Sequence, residues 1–303
     1  MGHSQLPGVR PPWVDDSLFP FESRFVELDD HVVHYVDEGS GPVLLMLHGN
    51  PTWAFVYRQV ISSLRGHFRC IALDYPGFGL SVAGPGYSYL PADHAAVTGA
   101  FVERLGLSEV TLVVQDWGGP IGLRMAEQRS EAIRGLVIGN TWGWPVNGDT
   151  HFEVFSHMLG DAVGRELIKR FNLFVNLMIP AGHRRRKLSN AEMAHYRLAL
   201  GTPARREASA ILPRAITRSR DFLAQVETDL RTLDRLPALI VWGDADFAFR
   251  EKERIRWEGL LHDRSTVEIH GAGHFLQSDA PDEFAEAIST WHEMLGAKGS
   301  THE

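Results

Sequence analysis

A chain of 303 residues, 44% hydrophobic and 22% charged, is long enough to bury a substantial core as one large domain or a core plus a subdomain, and it reads as an ordinary globular protein. The formal net charge of −8 excludes a basic stripe for nucleic acid, and the one dense basic run, Arg184-Arg185-Arg186-Lys187, fits a solvated helix flank. A single cysteine, Cys70 in FRCIAL, excludes an intrachain disulfide; no segment approaches the roughly 18 apolar residues of a membrane span, and MGHSQLPGVRPPW lacks a signal peptide's apolar stretch, so the expectation is a cytoplasmic protein with no membrane partner.

Short runs rich in valine, leucine and isoleucine recur along the chain. They are VVHYV at 32–36, VLLMLHG at 43–49, CIALD at 70–74, VTLVVQD at 110–116, GLVIGN at 135–140, ALIVWGD at 238–244 and TVEIHG at 266–271. Near-continuous apolar strands separated by helices predict an α/β architecture with a mostly parallel sheet covered on both faces. Helices are predicted from Pro91 to about Leu105, where Phe101, Val102 and Leu105 recur at helical spacing, and from Pro281 to Leu295, where Phe284, Ile288 and Trp291 do. Between Asn140 and about Leu236 the strand rhythm stops and amphipathic helical stretches take over, with Ser189 and Glu192 of SNAE as a capping box. The expected organisation is a core over 1–140, a helical lid over 141–235 and a second part of the core over 236–303. An insertion there would roof the carboxyl ends of the strands, where open α/β sheets bind ligands.

Polar residues cluster where the strands stop: His48-Gly49-Asn50-Pro51, Asp116-Trp117-Gly118-Gly119, Gly243-Asp244-Ala245-Asp246 and Gly271-Ala272-Gly273-His274. Each alone has a bland explanation: Asp116 as a helix N-cap, His274 as a satisfied loop histidine, Asp244 and Asp246 as turn formers, HGNP as a turn. Their coincidence at strand ends, in the order nucleophile, acid, histidine, is the α/β-hydrolase triad order. The chain resembles the haloalkane dehalogenases of that superfamily through HGNPTWAFVYR (48–58), DYPGFGLS (74–81), VVQDWGGPIGL (113–123), GAGHFLQ (271–277) and AEMAHYR (191–197), across residues 22–295. The resemblance implies the α/β-hydrolase fold, with an eight-stranded, mostly parallel sheet flanked by helices and a helical lid. Val114 departs from the usual elbow pattern, which often has glycine two residues before the nucleophile.

Aspartate at the elbow has a chemical reason. A serine attacking a saturated carbon would make an ether that water does not readily cleave, whereas a carboxylate makes an ester open to hydrolysis. Alkyl halides and epoxides are the two common substrates with such a carbon. A departing halide needs only hydrogen-bond donors, which the Trp117 indole N–H and the Asn50 side-chain amide can supply, and the resemblance implies this pair. An epoxide oxygen needs an acid, typically two lid tyrosines, and Tyr196 is the only tyrosine between 141 and 235. Trp117 also stands where fluoroacetate dehalogenases typically place arginine, which argues against a charged haloacid.

The expected roles are Asp116 as nucleophile, His274 as base, and Asp246 as the acid that orients His274, with Asp244 the alternative. Asn140, after GLVIG, is not a carboxylate, so the acid is expected after the later strand. This pattern with the Asn50/Trp117 pair resembles the third dehalogenase subfamily. The expected partners are a halogenated alkane and a halide ion, with no cofactor and no metal. An epoxide hydrolase and a luciferase-like oxygenase of this fold are the alternatives. Trp142, Trp144, Phe152, Phe155, Phe171, Phe174 and Leu212 are candidate pocket walls.

Overall fold

A computed structural model of the chain describes residues 7–300, with side chains through 297. The first six residues, part of the segment on which the absence of a leader was expected, lie outside the described residues. Eight strands, β1 (Arg24–Leu28), β2 (His31–Glu38), β3 (Val43–Leu47), β4 (Arg69–Leu73), β5 (Val110–Gln115), β6 (Ile133–Gly139), β7 (Ala238–Gly243) and β8 (Arg264–Ile269), form one sheet. Its order is β1-β2-β4-β3-β5-β6-β7-β8; β2 runs antiparallel to β1 and β4, and every other pairing is parallel. The strand missing from the sequence reading is β1. It forms a hairpin with β2 through Asp29-Asp30, with Asp29 at φ 50, and that short turn is the signal that could have found it.

Alternation along the central strands feeds two cores. Leu45, Leu47, Leu112, Val114, Leu136, Ile138 and Ile240 face one side, while Leu44, Met46, Val113, Val137, Leu239 and Val241 face the other. Because β5 and β7 are buried at every position, they read as continuous apolar runs. Each such leucine or isoleucine contributes about 1.5–3 kcal/mol of burial.

The helices in chain order are α1 (Arg58–Leu64), α2 (Pro91–Arg104), α3 (Gly118–Gln128), α4 (Thr150–Gly160), α5 (Ala162–Phe171), α6 (Ile179–Gly182), α7 (Asn190–Ala199), α8 (Glu207–Arg218), α9 (Arg220–Asp229), α10 (Glu251–Leu260), α11 (Leu276–Asp279) and α12 (Pro281–Ser300). Proline opens both α2 and α12, as expected. The capping box at α7 is present: Ser189 Oγ accepts the Glu192 N–H and the Glu192 carboxylate accepts the Ser189 N–H. Between β6 and β7 the described residues form helices α4 to α9 and no strand, and residues of α4 and α8 meet the carboxyl ends of β3 and β5 around one cavity. Among the described residues no helix is long and apolar enough to cross a membrane.

Cys70 is buried and unpaired. The Arg184–Lys187 run flanks α7 with Arg184, Arg185 and Lys187 exposed, and it also has a structural duty: the backbone N–H groups of Arg184, Arg185 and Arg186 converge on the Asp279 carboxylate.

Candidate active site

Asp116 occupies the turn between β5 and α3 with φ at 51, a left-handed conformation that costs a non-glycine residue on the order of 1 kcal/mol and is retained only where surroundings impose it. They do so here: the Asp116 N–H donates to the Asn140 carbonyl at 3.0 Å, and its own carbonyl accepts Gly119 N–H at 2.9 Å and the Thr141 hydroxyl at 2.5 Å. The glycines after it are dictated by close approach. A Cβ on Gly118 would lie 2.3 Å from the Leu47 carbonyl oxygen, and one on Gly119 would lie 1.9 Å from Thr141 Oγ1. The register Leu47↔Val114 and Gln115↔Gly139 brings the ends of β3, β5 and β6 level, so Asn50, Asp116 and Asn140 meet.

The Asp116 carboxylate is held on one side and open on the other. Oδ1 accepts the Asn50 backbone N–H at 2.7 Å, the Trp117 backbone N–H also donates to the carboxylate, and Oδ2 lies 3.7 Å from His274 Nε2. Burial pushes this carboxyl above its ordinary range; His274 and the N–H groups of Trp117 and Asn50 pull it back without cancelling the rise. The second imidazole nitrogen, His274 Nδ1, pairs with Asp246 Oδ2 at 3.0 Å. Burial alone would lower the His274 pKa, but the charge and hydrogen bond of Asp246, joined by Asp116, overcome it and leave the imidazole above the ordinary histidine value.

Asp246 is itself fixed. Oδ2 also accepts Asn140 Nδ2 at 2.8 Å and Oδ1 accepts the Ala248 N–H at 2.7 Å. Asp244 points elsewhere, pairing with His270 at 2.7 Å on the surface, where His270 is 99% exposed. Three supports escaped the sequence reading. Asn140, weighed there only as a missing carboxylate, clamps Asp246 and bonds both the N–H and the carbonyl of Gly243. Gln115 donates to the His274 carbonyl at 2.9 Å, and Asp279 accepts the Gly273 N–H at 2.8 Å, tying the His274 loop to the Arg184–Arg186 backbone. His48 of the HGNP motif stays outside the cavity: it accepts the Tyr75 N–H at 3.2 Å and burial keeps its pKa low.

The cavity over Asp116 is narrow, about 60 Å³, and largely apolar. Asn50 and Trp117 line it, and so does Trp142, whose buried indole N–H has no hydrogen-bond partner among the described residues. Of the expected walls, Trp142, Phe152, Phe155 and Phe174 are present, joined by Phe247, Phe249 and Phe275. The other three are corrected: Trp144 packs on Trp257, Phe171 is 58% exposed, and Leu212 sits in the core. No tyrosine lines the cavity; Tyr196 is buried edge-on against Phe55. Among the described residues no cluster of histidine, cysteine and carboxylates is arranged to hold a metal ion.

An aspartate on a left-handed strand-to-helix turn, with a second aspartate and a histidine on later loops of the same sheet edge, is the arrangement of an α/β-hydrolase. A family model for the alpha/beta hydrolase fold matches residues 42–281. The haloalkane dehalogenase 2 of Mycobacterium tuberculosis is 44% identical over 90% of this chain and 96% of its own. The crystal structure of a haloalkane dehalogenase from Bradyrhizobium elkani superposes with a TM-score of 0.84 at 26% identity, covering 92% of this chain and 99% of the other. A cis-3-alkyl-4-alkyloxetan-2-one decarboxylase of Shewanella oneidensis is 30% identical over 88% of this chain and 87% of its own. The chain belongs to the haloalkane dehalogenases.

Proposed function

We propose that this chain hydrolyses haloalkanes to an alcohol, a halide and a proton through a covalent ester on Asp116. Asp116 Oδ2 attacks the halogen-bearing carbon in line; the carbon–halogen bond breaks and the halide is received by the Trp117 indole N–H and the Asn50 side-chain amide. His274 then takes a proton from a water that adds to the Asp116 carboxyl carbon. Oδ1, already accepting the Asn50 backbone N–H, becomes the oxyanion, and its collapse expels the alkoxide, which leaves as the alcohol with the proton held by His274. Asp246 stabilises the imidazolium. The segment 141–235 acts as the lid, between core parts 1–140 and 236–303. The narrow apolar cavity suits a slender uncharged chain, and turnover in the cytoplasm would serve to detoxify xenobiotic alkyl halides.

One observation carries this reading: a buried carboxylate faces an apolar cavity that Asn50 and Trp117 also line. An epoxide hydrolase would need an acid over the ring oxygen, and no tyrosine lines the cavity. The oxetanone decarboxylase relative favours a second reading. Asp116 could open a strained lactone at its saturated ring carbon, freeing a carboxylate; loss of carbon dioxide would then form the double bond and expel Asp116. That route uses neither water nor a base, and so leaves the His274–Asp246 pair without a task. Parallel assays for halide release from 1-bromohexane, styrene oxide opening, carbon dioxide from a dialkyl oxetanone and light from an imidazopyrazinone decide the matter. Halide release is expected, and its absence beside turnover in another assay overturns the proposal.

A further inference from the structure

A proline inside a helix removes one backbone donor. In α8 the residue at 213 would donate its N–H to the carbonyl of Ser209, four residues back, and Pro213 has none to give. The freed carbonyl is used: Asn50 Nδ2 donates to Ser209 O at 3.1 Å, in a buried contact between the segment after β3 and the helix above it. Pro213 and Asn50 both line the cavity over Asp116. Asn50 Oδ1 is buried without a hydrogen bond, so nothing on that side chooses how the carboxamide is turned. The Ser209 carbonyl does choose. Rotating the carboxamide by half a turn would set Oδ1 against another acceptor, whereas the observed orientation spends one amide hydrogen on Ser209 and leaves the second uncommitted.

We propose that Pro213 is a positioning residue for the leaving group: by withholding an N–H from Ser209 it leaves a carbonyl that pins the Asn50 carboxamide with its donor end toward the halide. This rests on the assignment of Asn50 as a halide donor. With any other residue at 213, an N–H regains the Ser209 carbonyl as an ordinary intrahelical bond and Asn50 is released to turn. The lid helix thus sets donor strength at the reacting end through a missing hydrogen bond.

The test uses the full chain with Pro213→Ala and Pro213→Val. Both restore the N–H, but they change the cavity volume differently, so a shared effect reports the N–H. Three quantities are measured: bromide affinity, the rate of first halide release from 1-chlorohexane and 1-iodohexane, and the thermal midpoint. Bromide affinity and the chloride rate are each expected to fall about tenfold, the size of one charge-assisted hydrogen bond, and the iodide rate less than about threefold, since chloride leaves with greater need of donors. The midpoint should hold or rise, because a proline has left a helix interior.

Unchanged bromide affinity and an unchanged chloride-to-iodide ratio in a folded variant overturn the proposal, as does an equal loss for both leaving groups. Should neither variant fold, NMR of the side-chain amides in the wild type decides. Bromide should shift one Asn50 amide proton while the other stays protected from exchange; an equal response of both overturns it. A wild type that neither binds bromide nor releases halide defeats the functional reading itself, which separates the two failures.

Discussion

His274 Nε2 stands 3.7 Å from Asp116 Oδ2, close enough to share a reaction centre and too far for a hydrogen bond, while its other nitrogen is held by Asp246. In the proposed mechanism His274 acts only after the ester has formed, so with His274 replaced Asp116 should still displace halide and the ester should persist. His274→Phe is expected to release about one halide per protein and then stop, with steady-state turnover down roughly 10²–10⁴-fold. Mass spectrometry should find one added alkyl group on the peptide holding Asp116. Unmodified peptide alongside a halide-releasing wild type means that Asp116 is not the nucleophile.

The pH profile follows from the same pair. His274 must be neutral to accept a proton, and its pKa lies above the ordinary histidine value because Asp246 and Asp116 outweigh the burial that would lower it. Ester hydrolysis should therefore switch on as pH rises through the His274 pKa of the ester, where Asp116 no longer carries a charge and Asp246 alone opposes the effect of burial. Asp246→Asn removes the dominant charge raising that pKa and leaves burial to act, so the acid limb should move to lower pH while turnover falls. A limb that stays in place shows that another group controls it.

Asn140 and Asp244 separate support from bystander. Asn140→Ala removes the 2.8 Å bond to Asp246 and both bonds to Gly243, leaving buried backbone groups unpaired; a loss of about 1–3 kcal/mol in chemical unfolding is expected, with slower ester hydrolysis. Asp244→Asn alters only the exposed His270 pairing and the Gly271 cap and should keep turnover within about twofold, as surface changes do. Equal damage from Asp244→Asn would restore Asp244 as a contender for the acid.

Most of the sheet was legible because buried central strands leave an unmistakable apolar run: six of the seven runs read from the sequence fall on β2 to β7, and the seventh, TVEIHG, falls on the far edge strand β8, which was legible despite being mostly exposed. The edge strand β1, RFVEL, was not, since an edge carries polar residues and its five residues pair on one side only. At the site, the candidate residues were readable at strand ends, and the structure brings Asn50, Asp116, Trp117, Asp246 and His274 together. Their supports were not. Asn140, Gln115 and Asp279 have ordinary residue types whose importance lies in partners distant in sequence, 103 to 162 residues away for the first two. The cavity walls were half readable, since an aromatic on a helix does not announce which neighbour it faces; Trp144 and Phe171 are the cases that turn away.

Glu127 on α3 gives a stability prediction far from the chemistry. Its side chain is 2% exposed and neither oxygen has a hydrogen-bond partner; Arg124 reaches it only at 3.5 Å, being engaged with Asp229 at 2.7 Å. Burial, with the Asp229 charge adding to it, pushes the Glu127 carboxyl up to about 8. The folded protein thus keeps this proton up to about pH 8, whereas the unfolded chain releases it near 4.5. Between those values the folded state binds more protons, so the Glu127 contribution to stability falls as pH rises and reaches its full penalty above pH 8. Glu127→Gln removes the titration: at pH 5 its urea midpoint should match the wild type, while at pH 9 the variant should be more stable by up to about 5 kcal/mol, at about 1.4 kcal/mol for each unit between 4.5 and about 8. Equal stability of the two proteins at pH 9 would show that Glu127 ionises in the folded state at no cost.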